Sequence, residues 1–214
     1  MLAVPIATIL YMARTIYGMR TTLHSAGLIR LSDKGRTPAE RLALERAQSA
    51  LEAGYDFARK VRREAELETI LTEFIERLQR AFGSVERARG KRILDIACGS
   101  NSSRSPDTGE RTAMFEPWFC RLLFALGADP VGVDAGDLEG ERFEHHAADL
   151  SRIGALDFLP DASFDGIQDS RLFGSPEFLA LLPRSQHAPI KAELRRQEKR
   201  LLKPGGVIIH SDNP

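Results

Sequence analysis

Four short stretches carry side chains that could do chemistry together. Asp95-Ile96-Ala97-Cys98-Gly99-Ser100-Asn101-Ser102 joins an acid to a run of small residues. Small residues let a backbone turn sharply and come close to a ligand, and the amides of such a turn can donate to it. Val131-Gly132-Val133-Asp134 ends on a second acid. A carboxylate only accepts, so it suits the two vicinal hydroxyls of a sugar. Ala148-Asp149-Leu150 brings a third acid that can accept from an exocyclic amine. In Gln168-Asp169-Ser170-Arg171-Leu172-Phe173, Asp169 can take a proton or steady an amino group. Arg171 can hold a carboxylate or phosphate in a bidentate fork, and Phe173 can pack on a flat ligand. Each residue also has an ordinary use as a helix cap, a loop residue, an ion-pair partner or a core aromatic.

Other reactive types are sparse. His210 ends an apolar run and can face the same region, whereas His145 and His146 pack or face solvent. No histidine has a metal partner at useful spacing, and Cys98 and Cys120 stand too isolated for a metal site. Both thiols read as reduced, in a cytoplasmic protein.

The elements that position these residues follow from periodicity and punctuation. Thr37-Pro38-Ala39-Glu40 is a helix start with the ingredients of a capping box. Apolar residues then recur through Leu44, Ala47, Leu51, Tyr55 and Ala58, with Gly54 marking a break or a close contact. Leu67, Ile70, Leu71, Phe74, Ile75, Leu78 and Phe82 form a sharper helical stripe. Beyond Gly90 the texture changes. Arg92–Ile96, Val131–Asp134, Phe143–Ala148, Phe164–Gln168 and Val207–His210 read as strands. Helices are predicted over Met114–Leu126, stopped by Gly127, and Pro189–Leu202, stopped by Lys203-Pro204-Gly205-Gly206. Strands alternating with helices imply a parallel sheet, and ligands then bind beyond the strands' carboxyl ends. Two regions result: residues 1–89, helical and suited to a lid, an acceptor site or an interface, and residues 90–214, the sheet domain.

Taken in order, the stretches from Lys91 to Asp212 resemble the class I, Rossmann-like methyltransferases that use S-adenosylmethionine. Ile93-Leu94-Asp95-Ile96-Ala97-Cys98-Gly99 is similar to that family's first motif. Leu159-Pro160-Asp161-Ala162-Ser163-Phe164-Asp165 and Leu201-Leu202-Lys203-Pro204-Gly205-Gly206 look like its approaches to the fourth and fifth strands. The resemblance implies an α/β sheet of order 3-2-1-4-5 with S-adenosylmethionine as cofactor. It implies cofactor contacts from Asp95, Ala97, Gly99, Ser100, Asp134 (ribose), Asp149 (adenine amine), Leu150 and Asp169. Asp169 and Arg171 become the candidates for catalysis.

The chain also departs from that family. Ala97 and Asn101 stand where it usually has glycine; Asn tolerates left-handed backbone, which preserves the turn. Ser100 to Ala113 is a longer link than usual, either a surface insertion or a lid. The family's terminal helix and antiparallel strands have no counterpart before Pro214. The chain is then a truncated form, or the N-terminal region (Ala26 to Leu31 has strand character) or a second subunit completes the sheet.

Composition narrows the partners. Lys+Arg and Asp+Glu both total 30, a formal net charge of zero that argues against nucleic acid or an anionic membrane. The apolar stretch Leu2 to Ala13 is too short to span a bilayer and lacks the flanks of a targeting signal, so a buried or amphipathic helix is expected. The favoured acceptor is a small molecule, since no Asn/Asp-Pro-Pro-aromatic motif marks a nucleobase or glutamine amide target. Homo-oligomerisation through the N-terminal helices or the sheet edge fits the same features. A nicotinamide-dependent dehydrogenase would need more glycines at the first turn. A non-catalytic cofactor-binding module, acting through protein contacts, is the stronger alternative.

Overall fold

A computed structural model of the chain describes residues 31, 36–55, 64–101, 115–169, 172–174, 178 and 182–209. The expectations for Leu2–Ala13, Ala26 to Arg30, Ala58, Ser102–Met114, Arg171 and His210 lie outside them. Four helices are described: α1 (Pro38–Gly54), α2 (Glu64–Phe82), α3 (Trp118–Ala125) and α4 (Arg184–Leu201). Five strands alternate with or follow them: β1 (Arg92–Ile96), β2 (Asp129–Asp134), β3 (Glu144–Ala147), β4 (Phe164–Asp169) and β5 (Leu202–Ile209). All strand pairs are parallel, as the alternation of strands and helices implies, and the order is β3-β2-β1-β4-β5, as the family resemblance implies.

Local chemistry explains most boundaries. The Thr37 hydroxyl accepts from the Glu40 N–H, and the Glu40 carboxylate accepts from the Thr37 N–H, so the predicted capping box is formed. Gly54 ends α1 and also lies against the Arg142 guanidinium. Helix α3 begins at Trp118 rather than Met114, because the Phe115 carbonyl is diverted to the Ser100 N–H and Pro117 occupies the cap. Helix α4 begins before its Pro189, on a tight first turn in which the Gln186 N–H donates to the Pro183 carbonyl.

One turn is displaced from its expected place. Lys203-Pro204-Gly205-Gly206 does not precede β5 but bulges from inside it. Phe164 pairs with Leu202 and Gly166 with Val207, so Asp165 alone lies opposite those four residues. The left-handed Gly205, at φ 78°, makes the bulge possible.

Each face of the sheet has its own core. On one side Leu44, Leu51, Leu71, Ile75 and Leu78 of the first two helices pack with Ile93, Phe119, Leu122 and Ile209. The described N-terminal helices therefore share a core with the sheet. On the other side Leu94, Ile96, Val131 and Ile167 meet Ile190, Leu194 and Leu201 of α4. Fully burying a side chain of this size contributes about 1.5–3 kcal/mol, so two such layers hold the strand ends in register.

Gly132 in β2 faces a smaller third cluster of Cys98, Cys120, Leu138 and Phe143, and shows how tightly it is packed. A methyl group there would lie 2.9 Å from both the Cys98 sulfur and Phe143 Cε2, and 3.3 Å from the Cys120 sulfur. Gly132→Ala is expected to destabilise the fold by about 1–3 kcal/mol through overpacking, read from urea denaturation. An unchanged midpoint would mean that the two thiols do not converge on this strand.

Candidate functional site

The strand order reverses between β1 and β4, and the carboxyl ends of β1, β2, β3 and β4 flank that point. Asp134 closes β2 there. Its Oδ2 accepts the Gly99 N–H at 3.0 Å and its Oδ1 accepts the Gly136 N–H at 2.8 Å. The acid therefore ties the β1 turn to the β2–β3 loop. A carboxylate oxygen has two lone pairs, so each oxygen keeps one for another donor.

The β1 turn is closed by its own protein. The Cys98 N–H donates to the Val133 carbonyl at 3.2 Å, Ser100 to Phe115 at 2.9 Å and Asn101 to Asp137 at 2.7 Å. With Gly99 on Asp134, four successive amides already have acceptors, contrary to the expectation that they stand free for a ligand. Gly99 is a glycine for a local reason. At φ 89° its missing Cβ would sit 2.1 Å from the Phe115 carbonyl oxygen.

The left-handed residue replacing a glycine is Ala97, at φ 58°; Asn101 has no positive φ. That corrects the reason given for Asn101. Its side chain acts instead as a bridge: its Nδ2 donates to Glu141 Oε1 at 3.2 Å and its Oδ1 accepts from Arg121 Nη2 at 2.9 Å.

The remaining predicted residues divide by exposure. Asp95 is fully buried, pairs with Gly132 and Gln168 across the sheet, and accepts from the Cys120 thiol at 3.7 Å. It supports the turn from beneath. Asp149 is about half exposed and caps its own loop, its Oδ1 accepting from the Ser151 N–H and hydroxyl and its Oδ2 from Arg152. The Ser151 hydroxyl, with Arg152 beside it, holds its carboxyl below the ordinary range. Leu150 is buried in the α4-side core. Asp169 ends β4 opposite Ile96, and its Oδ1 accepts from the Leu172 N–H at 3.3 Å. Phe173 packs edge-on against Phe178. His145 bonds the Phe143 carbonyl, and His146 pairs with Glu144 and lies against Phe158. Among the described residues no group of His, Cys, Asp and Glu could hold a metal ion.

The sequence reading missed the cluster that holds these loops together. Arg121 is 1% exposed. Its Nη1 meets Glu116 at 2.5 Å and its Nη2 meets Glu141 at 2.5 Å, both carboxylates being 2% exposed. Its guanidinium lies over the Tyr55 ring at 4.3 Å and the Trp118 ring at 4.4 Å. The Tyr55 hydroxyl also donates to Glu141 at 3.3 Å, and burial together with that carboxylate pushes its pKa up to about 12. One cation thus joins α1, α3, the β1 turn and the β2–β3 loop. The signal for it was an arginine inside the apolar run Trp118-Phe119-Cys120-Arg121-Leu122-Leu123, since a buried charge must have partners.

The chain matches no protein-family profile and no curated protein sequence. Among solved structures it is similar to the trans-methyltransferase CalH in complex with SAH, at a TM-score of 0.36 and 16% identity over 79% of this chain and 47% of that one. It is also similar to the selenomethionine-substituted CurJ carbon methyltransferase, at 0.31 and 13% over 91% of this chain and 59% of that one. The chain spans less than two thirds of the length of either.

Two substitutions test this geometry. Ala97→Gly relieves a left-handed alanine and is expected to stabilise the fold by about 1 kcal/mol in urea denaturation. A loss would mean that the turn does not adopt this backbone. Arg121→Met leaves two buried carboxylates without their cation, an expected cost of about 3–5 kcal/mol. Arg121→Lys should recover little of it, since an ammonium lacks the planar fork. A near-neutral Arg121→Met would remove the cluster from its tethering role.

Proposed function

We propose that the chain binds S-adenosylmethionine at the carboxyl edge of its sheet and transfers the methyl group to a small-molecule acceptor. The observation that carries this reading is Asp134. It stands at the end of β2 beside the reversal of strand order, fixed by one backbone amide on each oxygen, with one acceptor position left on each. Two acceptors a carboxylate apart are what a ribose diol needs, so the residues present fit the group. Asp149 and Leu150 would meet the adenine, one by its carboxylate and one as an apolar neighbour. Ala97, Gly99 and Ser100 would line the turn and Asp95 would brace it from below.

Bound there, the cofactor supplies an electrophilic methyl group for in-line displacement. The chain's own contribution is alignment and exclusion of water, and Asp169 is proposed to receive a proton from the acceptor or to hold the cofactor's amino group. Arg171 is proposed to orient an acidic acceptor. The zero net charge supports a small acceptor over nucleic acid. Free, buried Cys98 and Cys120 support a reducing compartment such as the cytoplasm, and no helix among the described residues is long and apolar enough to cross a membrane. Self-association through the N-terminal helices or the β5 edge belongs to the same proposal.

A second reading has one observation in its favour. The amides of Cys98, Gly99, Ser100 and Asn101 all have protein acceptors, which suits a module whose turn serves structure alone.

Calorimetric titration with S-adenosylhomocysteine separates the two. The native chain is expected to bind, and Asp134→Ala to bind roughly ten- to a hundred-fold more weakly, about 1.5–3 kcal/mol. A thermal melt of the variant checks that the turn remains closed. No binding by the native chain would overturn the transferase reading in favour of the module. Equal binding by the variant would overturn the role of Asp134.

A further inference from the structure

At the opposite, amino-terminal end of the sheet lies a cleft of about 410 Å³ between the end of α2, the start of β1 and the β5 bulge. Its apolar wall is Ala81, Phe82, Pro204 and Val207. Its polar lining is Arg87, Lys91, Lys203 and a single acid, Asp165.

The acid organises the cations and leaves them in excess. Asp165 Oδ2 accepts the Lys203 ammonium at 2.8 Å and the Arg92 N–H at 3.0 Å, and the Lys91 ammonium stands 3.6 Å from Oδ1. An ammonium has three N–H donors, so each lysine keeps donors after serving the shared carboxylate. Both lysines remain about 40% exposed, at 44% and 40%, and so open to a ligand. Arg87 is exposed, and among the described residues it has no ion-pair partner. Three cations around one carboxylate leave two positive charges facing the cleft. The bulge adds room as well, since nothing lies within 4 Å of where a Gly205 side chain would start.

We propose that this cleft is a binding site for a phosphomonoester carried on an apolar body. A dianion matches the two uncompensated charges, and an aryl or alkyl group matches the Phe82 and Val207 wall. The Arg87 fork and the two ammonium groups hold the phosphate oxygens, while Asp165 keeps the lysines converged. The site owes nothing to the methyl-transfer reading and lies away from Asp134.

The test is titration of the full chain with phenyl phosphate at constant ionic strength, followed by nuclear magnetic resonance shifts or calorimetry. Saturable binding is expected, at least five-fold weaker in Arg87→Ala and in Lys203→Ala. Arg152→Ala, which removes an exposed cation elsewhere, should bind like the native chain. Benzoate and inorganic phosphate should each bind more weakly than phenyl phosphate, the first for want of charge and the second for want of an apolar body. Non-saturable binding, or affinity unchanged in both cleft variants, overturns the site. Equal affinity for benzoate overturns the dianion, and equal affinity for inorganic phosphate overturns the apolar body.

Discussion

A strand that stops in the middle of a sheet leaves several backbone amides with no ladder to join, and buried amides must find acceptors. At the end of β1 this constraint falls on Cys98, Gly99, Ser100 and Asn101 together. They are met by three pieces of chain: the end of β2, through the Val133 carbonyl and the Asp134 side chain, the segment before α3 and the β2–β3 loop. That one requirement draws three loops to the same point. Asp134 is the only side chain among the four acceptors, and so the only one whose chemistry the sequence chooses independently of the backbone's path.

The Arg121 cluster enforces the same convergence by other means. Burying a guanidinium costs several kcal/mol, and it persists only where carboxylates and hydrogen bonds surround it. Here Glu116 precedes α3, Glu141 sits in the β2–β3 loop and Asn101 in the β1 turn. Burial pulls the Arg121 pKa down, yet its carboxylate partners raise it past the ordinary value, so the charge is retained. The Tyr55 and Trp118 rings, edge to face with centroids 5.9 Å apart, form a corner against it. A cation with this geometry fixes distance and orientation at once, which hydrophobic contact alone does not do. The described β1 turn, the start of α3 and the β2–β3 loop are therefore tied to one another by the protein's own groups.

The sequence carried the architecture because parallel β-strands buried on both faces are written as short apolar runs, and helices as a different period. It carried Asp134 for the same reason, because that acid follows directly on Val131-Gly132-Val133, whereas Asp149 follows the polar edge strand Glu144–Ala147. What it did not carry were relations between residues distant in the chain. The Arg121–Glu141 and Arg121–Asn101 contacts each span 20 positions, and nothing local announces them. Left-handed backbone was expected at Asn101 from residue preference, and the fold puts it at Ala97 instead. The alanine is held left-handed by a turn whose neighbours are all paired, while the asparagine is worth more as a bridge. The β5 turn was legible as a turn, but its position was not, because a bulge is defined by the partner strand.

Charge shows most clearly what composition conceals. Equal counts of acids and bases predict no field, yet the acids gather where the strands end. Asp95, Asp134 and Asp169 all lie at the carboxyl halves of β1, β2 and β4, and burial, with Asp95 a lesser cause, pushes the Cys120 thiol beneath the turn well above its ordinary pKa. At the other end of the same strands Arg87, Lys91 and Lys203 outnumber Asp165 around an open cleft. The formal zero is thus a sum of opposed local fields. Such fields act within about a Debye length, so the charges near each end of the sheet set them and the chain's total does not.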